Sequence, residues 1–275
     1  MANYTAADIK ELREKTGAGM MDVKKALEEA QGDQAKAVEI LRVKGLKGAT
    51  KREGRSTSDG LVATHVADGV GTMIELNSET DFVAKSDKFI ELADQVLDLA
   101  VQNSAASAED LLAAEVDGKP VSQIITEGGA ALGEKVDLRR VGRIEGANIE
   151  SYLHRTNKDL PPQVGVLLAF EGDDTEVAHD VAVHIAALTP KYFSRDDVPA
   201  DIVEKEREIA LETAKNEGKP EQALPKIVEG RVNGFFKENC LLDQGFAKEP
   251  KKSVASVLEE AGVKATGFLR FRVGS

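Results

Sequence analysis

The stretch from Leu61 to Asn77, LVATHVADGVGTMIELN, predicts a β-hairpin. Both halves are rich in Val, Thr, Ile and Leu, and β-branched residues of this kind favour strands. Asp68-Gly69 stands between the halves, and an Asp-Gly pair is a strong signal for a two-residue hairpin turn. We therefore expect two antiparallel strands at this point of the chain.

A helix is expected after this hairpin, and the same order of elements recurs later. Apolar residues repeat at the helical spacing over 89–100, as they do again over 177–188. Residues 152–170 resemble a second hairpin with a proline-containing turn. Aligning Val70 with Val164 gives two β-β-α units about 94 residues apart.

The first unit carries about six more residues than the second between its last strand and its helix. Phe82 lies in this additional segment, within Ser78–Phe89, SETDFVAKSDKF, just before a predicted helix start at Ser86. A polar connection is an unusual place for an aromatic side chain in a chain with only 4% aromatic residues. Two explanations remain open from the residues alone: the ring folds back onto Phe89, or it is presented to the core of another protein.

Residues 1–45 predict three short helices. Thr5 begins the first with a capping pattern, and Gly17 and Gly32 are expected to end the first and second. The third is predicted from Asp33 to Gly45. Three helices in so short a segment form a marginal core, so we expect this module to rely on a neighbour or a partner.

Residues 46–60, LKGATKREGRSTSDG, predict a linker because they are rich in Gly, Ser, Thr and basic residues. Contact with RNA through those basic residues is the alternative. Residues 1–60 carry 12 Lys and Arg against 10 Asp and Glu, whereas the whole chain has a net charge of −12. This asymmetry suggests a separate N-terminal module on an acidic body. Direct nucleic-acid binding is not expected, because phosphate contacts need clustered cations.

The expected compartment is the cytosol. The run from Val166 to Phe170 is far too short to span a bilayer, so no membrane contact is expected. The first twenty residues mix acids and bases without an apolar segment, which is not the pattern of a secretory signal. One cysteine, Cys240, excludes an internal disulfide framework.

Residues 198–238 break the sheet pattern and predict an antiparallel helical hairpin. Pro199 precedes a long charged helix, and Gly218 to Pro220 forms the turn to a second one. A protruding hairpin of this kind packs on its own body or on a second copy of the chain, which makes this segment a candidate for homodimerisation. The alternating tail from Thr266 to Ser275 predicts a final strand at a sheet edge.

The sequence offers no convincing catalytic, metal or cofactor site. Gly128 to Lys135 resembles a P-loop in spacing, but Glu134 stands where the lysine is needed and would repel phosphates. His179 and His184 are about 140° apart on a helix and cannot share a metal ion. Cys240 is expected to be a core thiol, since no histidine adjoins it.

Several stretches, taken in order along the whole chain, resemble the signatures of the translation elongation factor Ts family. These stretches are TGAGMMD at 16–22, KKAL at 24–27, TDFVAK at 80–85, GE at 133–134, LRR at 138–140, GKP at 218–220, KIVEGR at 226–231 and FRVG at 271–274. Any single motif is weak, but chance agreement of all of them in one order is very improbable.

The resemblance implies an α+β fold with three parts. Residues 1–54 would form a three-helix domain similar to ubiquitin-associated domains, with its linker. Residues 55–140 would form the first core subdomain, which carries the TDFV motif, and residues 141–275 a related second one. The helical hairpin at about 198–238 would be an insertion of the dimerisation type in the second subdomain.

The family's activity is guanine-nucleotide exchange on elongation factor Tu, without enzymatic chemistry or a cofactor. Its members insert the Asp-Phe pair of the TDFV motif between two helices of the GTPase domain of the partner. The resemblance assigns that role to Asp81 and Phe82, framed by Thr80 and Val83. Insertion shifts the elements that hold Mg²⁺ and the phosphates, so GDP is released.

The resemblance also implies contacts from both ends of the chain. In the N-terminal domain, Met20 and Met21 would offer adaptable apolar side chains, with Arg13 and Lys24 as charged neighbours. We expect at least one of the two methionines to pack into the small core instead. His154 matches a family position near the interface with the partner; the alternative is an ordinary hairpin residue.

Two other functions compete with exchange. A general binding adaptor would use residues 1–54 alone to capture peptides or a ribosomal surface, and it would tolerate changes at Asp81 and Phe82. An enzyme would need a pocket with a perturbed acid or base, and the sequence does not assemble one.

Overall fold

A computed structural model of the chain describes residues 4–16 and 18–275. Its α+β fold has three N-terminal helices followed by antiparallel sheets and further helices. The helices are α1 (Ala6–Thr16), α2 (Met20–Glu29), α3 (Gln34–Arg52), α4 (Asp81–Ala84), α5 (Asp87–Gln102), α6 (Ala108–Ala113), α7 (Val121–Leu132), α8 (Thr175–Leu188), α9 (Ala200–Asn216), α10 (Leu224–Asn239) and α11 (Val254–Glu260). The strands are β1 (Asp59–Ala67), β2 (Val70–Ser78), β3 (Glu115–Val116), β4 (Lys119–Pro120), β5 (Val136–Glu145), β6 (Asn148–His154), β7 (Val164–Glu171), β8 (Gly245–Phe246), β9 (Glu249–Ser253) and β10 (Lys264–Arg272).

The three predicted N-terminal helices are confirmed. At the start of α1 the Thr5 N–H donates to the Asp8 carboxylate at 2.6 Å, and the Asp8 N–H donates back to Thr5 Oγ1 at 3.3 Å. Gly17, predicted to end α1, lies outside the described residues. The helices enclose a small apolar core made of Leu12, Val23, Ala26, Leu27, Ala30, Ala37 and Leu41.

The end of the third helix and the linker were predicted wrongly, because α3 continues to Arg52. The reason is tertiary packing of α3 against α7. A side chain at Gly45 would come within 3.0 Å of the Ala130 methyl group, and Arg42 forms an ion pair with Glu127. Burial against α7 outweighs the low helix propensity of Gly45 and stabilises a longer helix. The N-terminal helices therefore pack against a neighbouring part of the chain, as expected.

The first sheet has the strand order β1-β2-β5, with antiparallel neighbours. The hairpin predicted around Asp68-Gly69 is confirmed, and both turn residues have positive φ, 51° and 73°. Strand β2 lies in the middle and is buried over most of its length. Helix α5 covers one face and inserts Phe89, Leu92 and Val96 into the core.

The second sheet has the order β10-β7-β6 and is also antiparallel. It confirms the second hairpin and the predicted edge strand at the end of the chain. Helix α8 packs on it through Ala178, Val181 and Ile185, and α11 adds Val254 and Leu258 to the same core.

The two sheets pack on each other through a small apolar cluster of Val62, Met73, Leu167 and Phe271. Glycine is required at one point of this interface. A Cβ atom on Gly165 would lie 2.5 Å from Val62 Cγ1 and 2.8 Å from Met73 Sδ. The close approach of the sheets therefore fixes β1 and β7 against each other.

Helices α9 and α10 form the antiparallel hairpin predicted for 198–238. Two ion pairs join them, Arg207 with Glu229 at 3.1 Å and Arg231 with Glu217 at 2.7 Å. In the part of the chain that the structure describes, no helix combines the length and the apolar character needed to cross a bilayer.

Candidate functional site

The most prominent surface feature is the Phe82 ring on the short helix α4, between β2 and α5. Its side chain is 73% exposed, more than any other large apolar side chain in the described residues. Phe89, by contrast, is completely buried in the first core. The explanation that Phe82 folds back onto Phe89 is therefore wrong, and the ring is presented to solvent.

Local capping explains why α4 forms and which way it faces. Thr80 is extended and its Oγ1 accepts the N–H of Val83 at 3.4 Å, which starts the helix. Ser86 ends this turn and caps α5 by accepting the N–H of Phe89 at 3.3 Å. Ala84 is buried and Val83 is half-buried against the core, so the neighbouring Phe82 projects outward.

Lys85 is the immediate neighbour of the presented ring. Its Nζ lies 4.5 Å from the centroid of the Phe82 ring and 3.4 Å from the Asp81 carboxylate. An exposed cation–π contact contributes about 0.5–1 kcal/mol, and an exposed ion pair contributes no more. A binding partner can therefore displace Lys85 at little energetic cost.

The base of α4 is held by two carboxylates. Glu134 Oε2 accepts the N–H groups of Glu79 and Thr80, both at 3.0 Å, and Glu134 Oε1 accepts the Thr80 hydroxyl at 2.5 Å. In return, Glu79 Oε1 accepts the N–H of Lys135 at 2.7 Å. Burial acts to raise the pKa of Glu79, but hydrogen bonds from Lys135 and Arg55 outweigh it and hold that pKa below its ordinary value.

The surroundings of α4 are acidic. Desolvation, followed by the charges of Asp81 and Glu134, raises the pKa of Asp59 above its ordinary value. This local field favours a partner surface with positive charge or hydrogen-bond donors.

The site residues predicted in the N-terminal domain lie on its surface. Met20 and Met21 are 57% and 62% exposed, so the expectation that at least one of them packs into the core is wrong. The part of this core that α2 supplies comes from Val23, Ala26 and Leu27 instead. Arg13 and Lys24 are also exposed.

His154 is exposed at the end of β6, and its Nδ1 lies 3.0 Å from the hydroxyl of Tyr152. A groove of about 410 Å³ runs between α5 and the β6–β7 connection and is bordered by Lys85 and Leu153. The segments that carry Phe82 and His154 therefore flank the same groove. The N-terminal residues Met20 and Met21 are not among its lining residues.

The residues considered for chemistry are occupied in structural roles. His179 pairs with Glu150 at 2.7 Å near the surface, while His184 is fully buried beside Gln244. Burial raises the pKa of the Cys240 thiol to about 11, so it is a core thiol as expected. Among residues 4–16 and 18–275, no three His, Cys, Asp or Glu side chains are placed to hold a metal ion. The P-loop-like segment ends helix α7.

Sequence reasoning missed the role of Glu134, which it treated only as a mismatch to a P-loop. The Gly-Glu pair at 133–134 was a motif without a function. Its contact with Thr80 spans 54 positions, and no local pattern reports a hydrogen bond of that range.

Fold and site together define a protein that acts by binding another protein, with an aromatic side chain held outward on a capped turn. The model of the family "Elongation factor TS" matches residues 79–275. Elongation factors Ts from Pseudarthrobacter chlorophenolicus and Arthrobacter sp. strain FB24 are 68% and 69% identical, and that from Kineococcus radiotolerans is 56% identical, each with the full length of both chains covered. The chain belongs to the elongation factor Ts family. It is a nucleotide exchange factor for elongation factor Tu in translation elongation, and not an enzyme.

Proposed function

We propose that Asp81 and Phe82 carry the exchange activity by inserting into the GTPase domain of elongation factor Tu, with Thr80 and Val83 framing them. The supporting observation is the 73% exposure of Phe82 on a helix whose base is fixed. A large apolar side chain in solvent gains free energy only when a partner covers it.

Insertion of the ring weakens GDP binding through linkage. Bound GDP is held by Mg²⁺ and by backbone N–H groups around its phosphates. When the ring displaces the helices behind these groups, the partner cannot keep all of its contacts with Mg²⁺ and the phosphates at the same time. The factor therefore binds the nucleotide-free partner more tightly than the GDP-bound one, and GDP and the factor weaken each other equally.

The energy of one phenylalanine is not enough for this coupling. Burial of a Phe side chain contributes roughly 1.5–3 kcal/mol, or about one to two powers of ten in affinity. Further contacts are needed, and we assign them to Met20 and Met21 with Arg13 and Lys24 nearby, and to His154 on the second subdomain. The exposure of all five side chains supports this assignment.

This function divides the chain into three units. Residues 1–54 dock as a domain like the ubiquitin-associated domain, residues 55–140 carry the inserted motif, and residues 141–275 grip a second part of the partner. Residues 141–275 would be related to residues 55–140 by the β-β-α repeat. Residues 198–238 would also join two copies of the chain, and the site of action would be the cytosol.

The test is the release of a fluorescent GDP analogue from elongation factor Tu in a stopped-flow instrument. Phe82→Ala is expected to slow factor-stimulated release about 10- to 100-fold, following the lost burial. Its unfolding free energy should change by less than about 0.5 kcal/mol because the ring is exposed. Val66→Ala serves as the matched control, because Val66 is also an exposed apolar residue and lies on the first sheet. With this variant, GDP should be released at the wild-type rate.

Wild-type release rates with Phe82→Ala would overturn the insertion role of this residue. The contacts of the other units are tested in the same assay, since Met20→Ala, Met21→Ala and His154→Ala should each raise the concentration of factor needed for half-maximal release.

A further inference from the structure

We infer that Glu134 is a positioning residue for nucleotide exchange: its carboxylate fixes the Glu79-Thr80 turn from which α4 presents Phe82. The inference rests on the proposed role of Phe82 and adds to it a residue 54 positions away from Thr80. Glu134 need not touch the partner for this role.

The carboxylate of Glu134 accepts three hydrogen bonds at the entrance of α4. The N–H of Glu79, the N–H of Thr80 and the Thr80 hydroxyl all donate to it. Because the hydroxyl proton is directed to Glu134, the lone pairs of Thr80 Oγ1 face the N–H of Val83, which they accept at 3.4 Å. Glu134 thus orients the cap that starts the helix.

The contact is reciprocal, because each of the two backbone segments supplies a carboxylate that accepts an N–H group of the other. This fixes the orientation of the two segments as well as the distance between them. Glu79 Oε1 accepts the N–H of Lys135 at 2.7 Å, while Arg55 donates to Glu79 Oε2 at 3.1 Å. Two adjacent backbone segments therefore exchange hydrogen bonds through two carboxylates. Hydrogen bonds to an ionised acceptor are stronger than those between neutral groups.

The end of α7 provides a rigid support for this carboxylate. Gly133 ends the helix with φ 80°, and the Glu134 N–H turns back to the Gly129 carbonyl at 3.2 Å. A Cβ atom on Gly129 would lie 2.9 Å from the Glu134 carbonyl oxygen, so the turn is closely packed. Helix α7 is itself anchored in the first core by Val121 and Ile125.

The placement of the Phe82 ring depends on this support because the helix that carries the ring is short. Helix α4 has four residues; Val83 and Ala84 hold one side of it in the first core, and the ring itself lies beside the exposed Lys85. Without the carboxylate, water satisfies the freed N–H groups and the fold survives, but α4 samples more orientations. Only the fraction of molecules with the ring correctly placed can insert, so the apparent efficiency of exchange falls with that fraction.

Two substitutions separate geometry from charge. Glu134→Ala removes both acceptor oxygens and with them all three hydrogen bonds, and it should lower the efficiency of factor-stimulated GDP release by about tenfold. Glu134→Gln keeps one oxygen that accepts both backbone N–H groups and places its amide N–H on Thr80 Oγ1, so it should stay within about threefold of wild type.

The matched control is Asp174→Ala. Asp174 is half-buried and caps α8, the helix of the second β-β-α unit, by accepting the N–H of Val177 at 3.0 Å. Its removal also deletes a capping carboxylate and lowers stability, but it should leave the GDP release rate unchanged. If Glu134→Ala lost exchange activity only because it is less stable, Asp174→Ala would lose exchange activity as well.

The decisive measurement is a double-mutant cycle in the fluorescent-GDP assay with Phe82→Ala, Glu134→Ala and the double variant. Because Glu134 acts through the placement of α4, the loss caused by Glu134→Ala should be much smaller in the Phe82→Ala background than in the wild type, with only the share carried by Asp81 remaining. The inference fails if the two effects multiply, or if Glu134→Ala matches wild type while Phe82→Ala is slow. If Phe82→Ala itself is normal, the insertion mechanism fails, and with it the role of Glu134.

Should Glu134→Ala fail to fold, Thr80→Val makes the same test from the other side of the contact. It removes the hydroxyl that donates to Glu134 and accepts from Val83, and it keeps the side-chain shape. A several-fold slower release, absent in the Phe82→Ala background, supports the inference; a wild-type rate overturns it.

Discussion

His184 is a buried side chain whose neighbours define its protonation state. Gln244 donates its amide N–H groups to the carbonyls of Leu188 and Glu238, so its oxygen faces His184 Nε2 at 2.9 Å and accepts a hydrogen bond from the Nε2–H group. The N–H of Ala247 donates to Nδ1 at 3.1 Å. A proton on Nδ1 would point at this donor, so the structure holds His184 neutral. Burial lowers its pKa below 6.5, against the smaller opposing effect of Gln244.

This arrangement predicts a loss of stability in mild acid. The folded-state pKa of His184 lies below that of the unfolded chain, so the unfolded chain takes up the proton first as the pH falls. The contribution is fully present above pH 6.5 and declines below it, with a slope of up to about 1.4 kcal/mol per pH unit for one proton. Urea unfolding between pH 8 and pH 5 measures this slope.

His184→Gln removes the titrating group and should flatten the curve over that range. Wild-type protein unfolded in the same buffers is the reference for this slope. An unchanged slope in His184→Gln would contradict the assignment. Acidic groups with lowered pKa values, such as Glu79, change the unfolding free energy at lower pH and contribute little to the slope between pH 8 and pH 5.

For single residues, the sequence predicts which side chains are buried better than it predicts what those side chains do. The helical pattern correctly placed Phe89 and Val96 inside, whereas the surroundings of Phe82 left a ring packed on Phe89 and an outward ring both open. Met20 was different, because its spacing from Val23 suits the same helix face, yet its side chain is exposed. Glu134 could not be found, because its partners become neighbours only when α7 and β2 pack against the same core.

At the scale of elements, α3 shows how tertiary packing lengthens a helix. Gly45 interrupts the helical pattern and suggested an end, yet α3 runs on to Arg52 because it lies against α7. The absence of a side chain at Gly45 allows this contact, as Ala130 lies 3.0 Å from where a Cβ atom would be. Glycine therefore acts as a packing residue at this position and not as a helix stop.

Gly45→Leu should consequently destabilise the chain in spite of its better helix propensity. The larger side chain forces α3 away from α7, and such overpacking costs about 1–3 kcal/mol against a gain of about 1 kcal/mol in propensity. Gly230→Leu is the matched control, because Gly230 lies in α10 with open space around its Cα. It should be neutral or slightly stabilising. Thermal unfolding of both variants makes the comparison, and equal or higher stability of Gly45→Leu would contradict it.

The paired strands β1–β2 and β6–β7, strand β10 and most of the longer helices could be predicted because each has a local signal, whereas strand β5 and helix α7 were not predicted. Asp68-Gly69 carries the turn of the first hairpin, and the period of apolar residues marks α5 and α8. The end of α3 has no such signal, since the residue that decides it, Ala130, is 85 positions from Gly45 in the sequence. A local sequence pattern therefore predicts that an element forms, whereas tertiary contacts determine where the element ends.

For the whole molecule, the end of the chain is tied to the first sheet. Glu75 is completely buried in β2, where it accepts the N–H of Gly274 at 3.1 Å and pairs with Arg140. Arg140 also donates to the carbonyl of Arg272 at 2.7 Å and lies 4.7 Å above the ring of Phe271. These contacts hold β10, a strand of the second sheet, against the first. Sequence patterns indicated the strand and its edge position, but not the sheet-to-sheet contact that joins the two halves.

The helical hairpin raises the question of how many chains work together. Helix α9 carries Ile209, which is 48% exposed, and Leu211, which is 36% exposed, on a surface otherwise rich in charge. A helix of 17 residues is about 25 Å long, which is enough for one side of a small interface. A stable dimer, however, buries about 1,200–2,000 Å² in total, so both helices of each hairpin must take part.

If residues 198–238 join two copies, the chain should sediment as a dimer at micromolar concentration. Ile209→Asp places a charge in the proposed interface and should shift the equilibrium to monomer, because an unpaired charge is strongly disfavoured where water is excluded. Leu188→Asp, at an exposed leucine outside the hairpin, is the control and should remain dimeric. A wild-type chain that sediments as a monomer throughout this range would leave α9 and α10 without a self-association role. Exchange by Ile209→Asp at the wild-type rate would further show that each copy carries its own complete set of partner contacts.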